Sequence, residues 1–278
     1  MEHYRAIVEQ VIRVMRERPA VPLTLREMAG LSFMSPFHFN RVFSLVTGIP
    51  PGLFQSALRF EAAKKLVLTT PMNLAEICEE LGFLSLGTFA RQFKAKVGVT
   101  PERLRRLATT IQESPLAAGG HLPVLPELPH PSSASLAGEV AASEGFGGLI
   151  AVVLFRKAIP EGWPVACALR IGGGPFVLPR VAEGNYYLLA AGLDGRDGLV
   201  ACLTDGRQIL RSGAPGQRVR ITRKKLLELP DPSLRLRPAD PVDPPILFAF
   251  PALILEPLLG AGSGKLEESP GALFQLTG

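Results

Sequence analysis

A chain of 278 residues has room for about two domains, and 47% hydrophobic with 20% charged residues is the composition of a packed globular protein, not of a disordered one. The net charge of +5 is unevenly spread: residues 1–112 carry 15 Lys and Arg against 9 Asp and Glu, and the remainder carries 15 against 16. A polyanionic partner is therefore expected on the first part of the chain and not on the second. The three cysteines, Cys78, Cys167 and Cys202, are widely spaced and suggest neither a disulfide framework nor a zinc site.

The N-terminus opens into a charged amphipathic pattern with no signal-peptide character. The apolar run 246–259 is too short for a bilayer and is interrupted by Pro251 and Glu256. A cytoplasmic protein with no membrane association is expected.

In residues 3–18, Tyr4, Ile7, Val8, Val11, Ile12 and Met15 recur at helical spacing; Pro19 and Pro22 stop this helix. From about Leu23 to Pro51 a short apolar-spaced helix (Leu25, Met28, Ala29) leads to a tight turn at Ser32 and a second helix capped by Ser35, with Pro36 at its first position. Phe39 and Phe43, four apart, share its buried face, and Gly48 ends it. A joining helix follows from Gly52 to about Thr70, with Phe54, Ala57, Leu58, Ala62, Leu66 and Val67 as its buried stripe. Arg59, Glu61, Lys64 and Lys65 are expected to be solvated or to touch backbone. From Asn73 to Pro101 the first pattern returns. Ser35, Phe39, Arg41, Phe43, Gly48 and Pro51 are matched fifty residues on by Ser85, Phe89, Arg91, Phe93, Gly98 and Pro101. A tight turn falls at Gly82, Cys78 takes the small apolar place of Ala29, and one extra residue stands between the first helix and the turn. This is a helix-turn-helix present twice. A closing helix spans about Glu102–Ile111, with Arg103, Arg105 and Arg106 expected to be exposed.

Over residues 3 to about 108, and above all in LSFMSPFHFNRVF and LGFLSLGTFARQFK, the chain resembles the AraC/XylS family of transcription regulators. The resemblance implies two helix-turn-helix units set on one face of double-stranded DNA, with RNA polymerase as a further expected partner. At about 1.5 Å per residue, the joining helix would separate the reading helices by roughly one DNA turn, ~34 Å. It also implies that Phe37, Asn40 and Arg41 face bases. A guanidinium can pair with guanine, an Asn amide with adenine, and Phe37 can lie on a thymine methyl. A phosphate contact or an intradomain ion pair stays open for Arg41, and a lid on its own helix for Phe37. In the second reading helix, Leu86, Thr88 and Arg91 are the base-facing candidates; only Thr88 and Arg91 can donate, and Leu86 and Ala90 suit apolar contact. Ser35, His38, Ser44, Ser85, Lys94, Lys96, Arg103 and Arg106 are candidates for the DNA backbone. The family usually carries a basic residue after Phe43, where this chain has Ser44 and Leu45, so the first unit should hold the backbone less tightly than the second.

Residues 113–145 are rich in Pro, Ala, Gly and Ser and read as a linker; His121 and His130 within it carry no defensible chemistry. From Gly147 the period changes. GLIAVVLF, WPVACALRI, GPFVLPRV, NYYLLAAGL, QRVRIT, SLRLRP and ILFAFPALILE are short runs bounded by turn residues, the pattern of an antiparallel β-sandwich over 146–259. GPFVLPRVAEGNYYLLAAG weakly resembles a transthyretin-like or carboxypeptidase-regulatory sandwich. Tyr186 and Tyr187 should point to opposite faces. Asp194, Asp197 and Asp205 lack calcium-loop spacing and read as turn chemistry, and residues 260–278 read as a flexible tail.

The expected fold is thus multidomain: an all-α double helix-turn-helix domain (1–112), a Pro/Gly-rich linker, and a sandwich that senses a small effector, forms a homodimer or serves purely as a protein–protein interaction module. Neither catalytic residues, cofactor nor metal is expected. An enzyme fused to the DNA-binding part would need a Cys beside a His or carboxylate, which the sequence does not offer.

Overall fold

The computed structural model describes residues 2–113, 135–179, 181–193, 203–204, 209–212, 217–221 and 233–250. His121, His130, Cys202, Asp194, Asp197, Asp205 and residues 260–278 lie outside the described residues. Two compact units emerge. One holds Met1–Arg106 together with Ala158–Gly162 and Asp240–Ala249; the other holds most of the remainder.

The first unit begins with α1 (Glu2–Glu17), whose Val8, Val11, Ile12 and Met15 are buried. The two helix-turn-helix units follow as α2 (Leu25–Leu31) with α3 (Pro36–Thr47), and α5 (Leu74–Glu80) with α6 (Leu86–Val97). They are joined by α4 (Pro51–Thr69), and α7 (Pro101–Glu113) follows, belonging to this unit as far as Arg106. Local chemistry sets the boundaries. Thr24 with Glu27 and Asn73 with Glu76 form reciprocal capping boxes at the starts of α2 and α5. The backbone and hydroxyl of Thr24 hold the Glu27 carboxyl below its ordinary pKa, so this cap is complete above the usual glutamate range and is lost as acid titrates it. Ser35 and Ser85 cap α3 and α6 by accepting from the amides of His38 and Thr88, and left-handed Gly48 and Gly98 close them.

Aromatic rings fill the core at the spacing the repeat implies. Phe39 and Phe43 meet at 5.6 Å, and Phe43 meets Phe54 of α4 edge-on at 5.5 Å. In the second unit Phe60, Phe83, Phe89 and Phe93 form the corresponding chain, with centroids 4.5–6.0 Å apart. Arg59 does not reach into solvent. It donates to the carbonyls of Leu81 (2.8 Å) and Gly82 (3.0 Å) and lies 4.1 Å over Phe83, riveting the middle of α4 to the second turn. Arg105, expected to be exposed, instead donates to Val67 O (2.9 Å) and Met72 O, where α4's last carbonyls need donors. Lys64 is likewise not solvated: it is 2% exposed and donates to Ile246 O at 2.8 Å.

The two turns are not built alike, which corrects the sequence reading. The left-handed residues are Gly82 and Phe33, not Ser32. The amide of Phe83 returns to Cys78 O, and that of Met34 returns to Ala29 O. Met34 therefore corresponds to Phe83, and the extra residue in the second copy is Leu84, placed after the turn and not before it. At Gly82 a Cβ would stand 2.6 Å from Ala20 O, so only glycine fits. Phe33 holds the same conformation (φ 52°) with its side chain 99% exposed, a strained choice for a bulky residue. Phe33→Gly should raise stability by about 1 kcal/mol, read as a higher denaturation midpoint; a lower midpoint would show that the ring is needed for folding.

The other compact unit contains β1 (Ser135–Ala141), β2 (Leu149–Phe155), β3 (Ala166–Ile171), β4 (Gly174–Pro179), β5 (Gly184–Leu193), β6 (Leu210–Ser212), β7 (Gln217–Ile221) and β8 (Ser233–Arg237). The hydrogen-bonded order is β3-β2-β5-β6-β8-β1-β4, with β7 also on β5. The end strands β3 and β4 are consecutive in the chain, so the sheet nearly closes. The strand order is continuous, with β8 linking β1 and β4 to the remaining strands. It is antiparallel except for β1 beside β8, which run parallel. The expected linker to residue 145 is corrected by β1, which pairs in register with β4 from Ser135↔Pro179 to Val140↔Gly174; its small residues disguise a strand. ILFAF, expected as a strand, forms none over 246–250. The core gathers Ile150, Val152, Leu154, Phe176, Leu178, Tyr186, Leu188 and Leu234. Tyr186 is buried and donates to Ala182 O at 3.1 Å, while Tyr187 turns the other way to face Arg218.

Candidate nucleic-acid interface

The residues that could meet DNA lie where burying Phe39, Phe43, Phe89 and Phe93 leaves the opposite sides of α3 and α6 uncovered. On α3, Phe37 (80% exposed), Asn40, Arg41 and Ser44 follow the i, i+3, i+4, i+7 spacing and share one face. Arg41 is exposed, whereas Asn40 and Ser44 are partly covered. On α6, Leu86, Gly87, Thr88, Arg91 and Lys94 are exposed and Ala90 is partly covered. The capped helix starts add backbone N–H groups and the positive end of the helix dipole, so phosphate is favoured beside Ser35 and Ser85. Arg41 and Arg91 take equivalent places, each two residues after the first buried Phe and two before the second. Both can offer a planar fork to a base edge or a phosphate.

Other candidates are differently placed. His38 is partly covered, with its ring edge-on to Tyr4 of α1 at 5.9 Å, so it supports the seat of α3 as well as its surface. Arg106 is exposed and Arg103 partly covered, both on α7. Lys96 requires a correction. It lies seven residues after Phe89, two helical turns along the same buried stripe, and does not share the surface of Arg91 and Lys94. Its ammonium pairs with Glu161 at 2.8 Å and lies 5.3 Å from the centre of the Phe60 ring. Its ammonium is thus engaged within the protein, by Glu161, and not presented beside Arg91 and Lys94.

Sequence reasoning passed over two exposed apolar side chains beside the reading helices: Phe33, three residues before α3, and Leu84, two before α6. The signal was the one-residue mismatch between copies, which identifies Leu84 once the turns are aligned by their left-handed residues.

Residues 28–107 match the family model described as a helix-turn-helix domain. Among curated relatives, an HTH-type transcriptional regulator of Mycobacterium tuberculosis, Rv1931c, is 36% identical over 80 residues, 29% of this chain and 31% of that one. The bifunctional transcriptional activator/DNA repair enzyme AdaA of Bacillus subtilis is 33% identical over 86 residues, 31% and 41% of the two chains. The RCS-specific transcriptional activator RclR of Escherichia coli is 30% identical over 102 residues, 35% and 36%. This chain thus spans between three and about four tenths of these relatives' lengths. The solved DNA-binding domain of AdpA in complex with a target DNA is similar over 36% of this chain and 89% of that one, with 23% identity and a TM-score of 0.34.

Proposed function

We propose that this chain, whose residues 28–107 form a helix-turn-helix domain of the AraC/XylS type, is a sequence-specific DNA-binding regulator of transcription. The observation that carries this reading is the duplicated capped helix with Arg41 and Arg91 exposed at equivalent places. α3 and α6 enter adjacent major grooves on one DNA face. Phe37, Asn40 and Arg41 read bases through α3, and Leu86, Thr88 and Arg91 through α6. Ser35, His38, Ser44, Ser85, Lys94, Arg103 and Arg106 face the DNA backbone. The helical part acts as the DNA-binding domain, and the β-rich part is the module through which a small effector or a second copy acts. The reading places the protein in the cytoplasm.

A repair-enzyme reading, raised by AdaA, is disfavoured by the described cysteines. Cys78 is buried, and burial pushes the Cys167 thiol up to about 12, so it stays protonated and poorly nucleophilic at neutral pH.

Selection of duplexes from a random pool by the full chain tests the proposal. The expected result is a bipartite motif with its halves about one turn apart; a pool without enrichment at moderate salt overturns it. With the selected duplex, Lys94→Ala should weaken binding to all sequences alike and flatten the salt slope by about one. A changed base preference would move Lys94 from backbone to bases.

A further inference from the structure

The last carbonyls of a helix have no partner within it and must find donors elsewhere. In α6 the carbonyl of Lys94 is met by the amide of Gly98, as in α3, where Gly48 meets Ser44. The next donors come from far along the chain. The Lys96 carbonyl accepts from Gly162 N, and the Val97 carbonyl accepts from Ala249 N at 3.0 Å. These donors belong to the two segments, 158–162 and 240–249, that complete the helical unit.

The two segments are bonded to each other and to the helices at several points. Leu247 N and Phe248 N both donate to Pro160 O, at 2.9 and 3.0 Å. Glu161 holds Lys96, with the carboxylate side chain only 7% exposed. Ile246 O receives the buried Lys64 ammonium of α4. Asp240 pairs with Arg5 of α1 and accepts from Val242 N. At Gly162 the backbone is left-handed, and a Cβ would stand 2.8 Å from Ala95 O, so glycine is what lets this segment approach the end of α6. Among the described residues no such distant segment is bonded to the end of α3, where the Thr47 hydroxyl bonds Phe43 O and Ile49 O locally.

We infer that segments 158–162 and 240–249 form a clamp that positions the second reading helix, with Glu161, Gly162 and Ala249 as positioning residues for DNA recognition by α6. This rests on the DNA-binding reading above for its consequence, not for the clamp itself. The clamp makes the two reading helices unequal: α3 is held by its own unit, and α6 also by chain continuous with β2, β3 and β8. Displacing 158–162 therefore acts on the end of α6, whereas 240–249 also holds α1 through Arg5.

The test uses the full chain and its selected duplex. In Glu161→Gln and Gly162→Ala, amide exchange over residues 93–98 should speed up by about tenfold, while exchange in α3 stays as in the wild type. Preference at the bases read by α6 should fall by about tenfold at an unchanged salt slope, with preference at the α3 bases retained. The exchanged pair Lys96→Glu with Glu161→Lys should restore both. Unchanged exchange at 93–98 in both variants overturns the clamp. So does tighter, more salt-dependent binding by Glu161→Gln, which would make Lys96 a phosphate ligand held in reserve. If the wild type selects no duplex, the regulatory reading falls, and exchange in the same variants still decides whether the clamp exists.

Discussion

Arg41→Ala combined with Arg91→Ala should reduce affinity for the selected duplex by about 2–6 kcal/mol, roughly 30-fold to more than 10⁴-fold. Each guanidinium is exposed at the centre of a different reading helix. A base-directed fork loses about 1–3 kcal/mol when truncated, and losses at well-separated sites add. Titration of labelled duplex with wild type, both single variants and the double variant checks this. Each single variant should relax preference at its own half of the motif. Under the alternative left open for Arg41, a phosphate contact, the single variant weakens all sequences equally and preference is unmoved. A double variant no weaker than either single one would show that only one helix engages DNA at a time.

Phe60→Ala should cost about 3–5 kcal/mol of stability, the usual range for a large aromatic removed from a packed core. Phe60 is 1% exposed on α4, meets Phe83 at 5.2 Å and Phe89 at 6.0 Å, and lies beneath the Lys96 ammonium. It joins the connecting helix, the second turn and the second reading helix in one contact. Phe60→Leu, which fills most of the volume, should cost less. Chemical denaturation of the full chain followed by far-ultraviolet circular dichroism gives both values. Equal and small losses would mean that the second unit is held chiefly from outside its own core.

Periodicity and capping made the helical half legible. Ser35, Asn73, Ser85, Gly48 and Gly98 fix ends through local hydrogen bonds, and Pro36 through its fixed φ, all of which sequence alone specifies. The Phe pairs fix the buried face, and thereby the exposed one. What escaped was non-local. Arg59, Lys64, Lys96 and Arg105 are long cations that read as surface residues, yet each is drawn to a carbonyl or carboxylate from another element. Only the assembled fold reveals those partners. In the second half, alternation located β2, β3, β4, β5, β7 and β8, while β1, rich in small residues, and the three-residue β6 gave too weak a pattern. Strand order depends on pairings up to a hundred residues apart, such as β1 with β8, and no local signal encodes them.

The unequal turns bear on how such a protein would lie along its target. Phe33 leads through Met34 to the cap of α3, whereas Gly82 is followed by Phe83 and Leu84 before the cap of α6. The side chains proposed to read bases differ as well, Phe37, Asn40 and Arg41 on α3 against Leu86, Thr88 and Arg91 on α6. On the DNA-binding reading the halves of the target would not be copies of one motif, and turning the duplex end for end would present each rod with the wrong half. The bound complex would have a head and a tail.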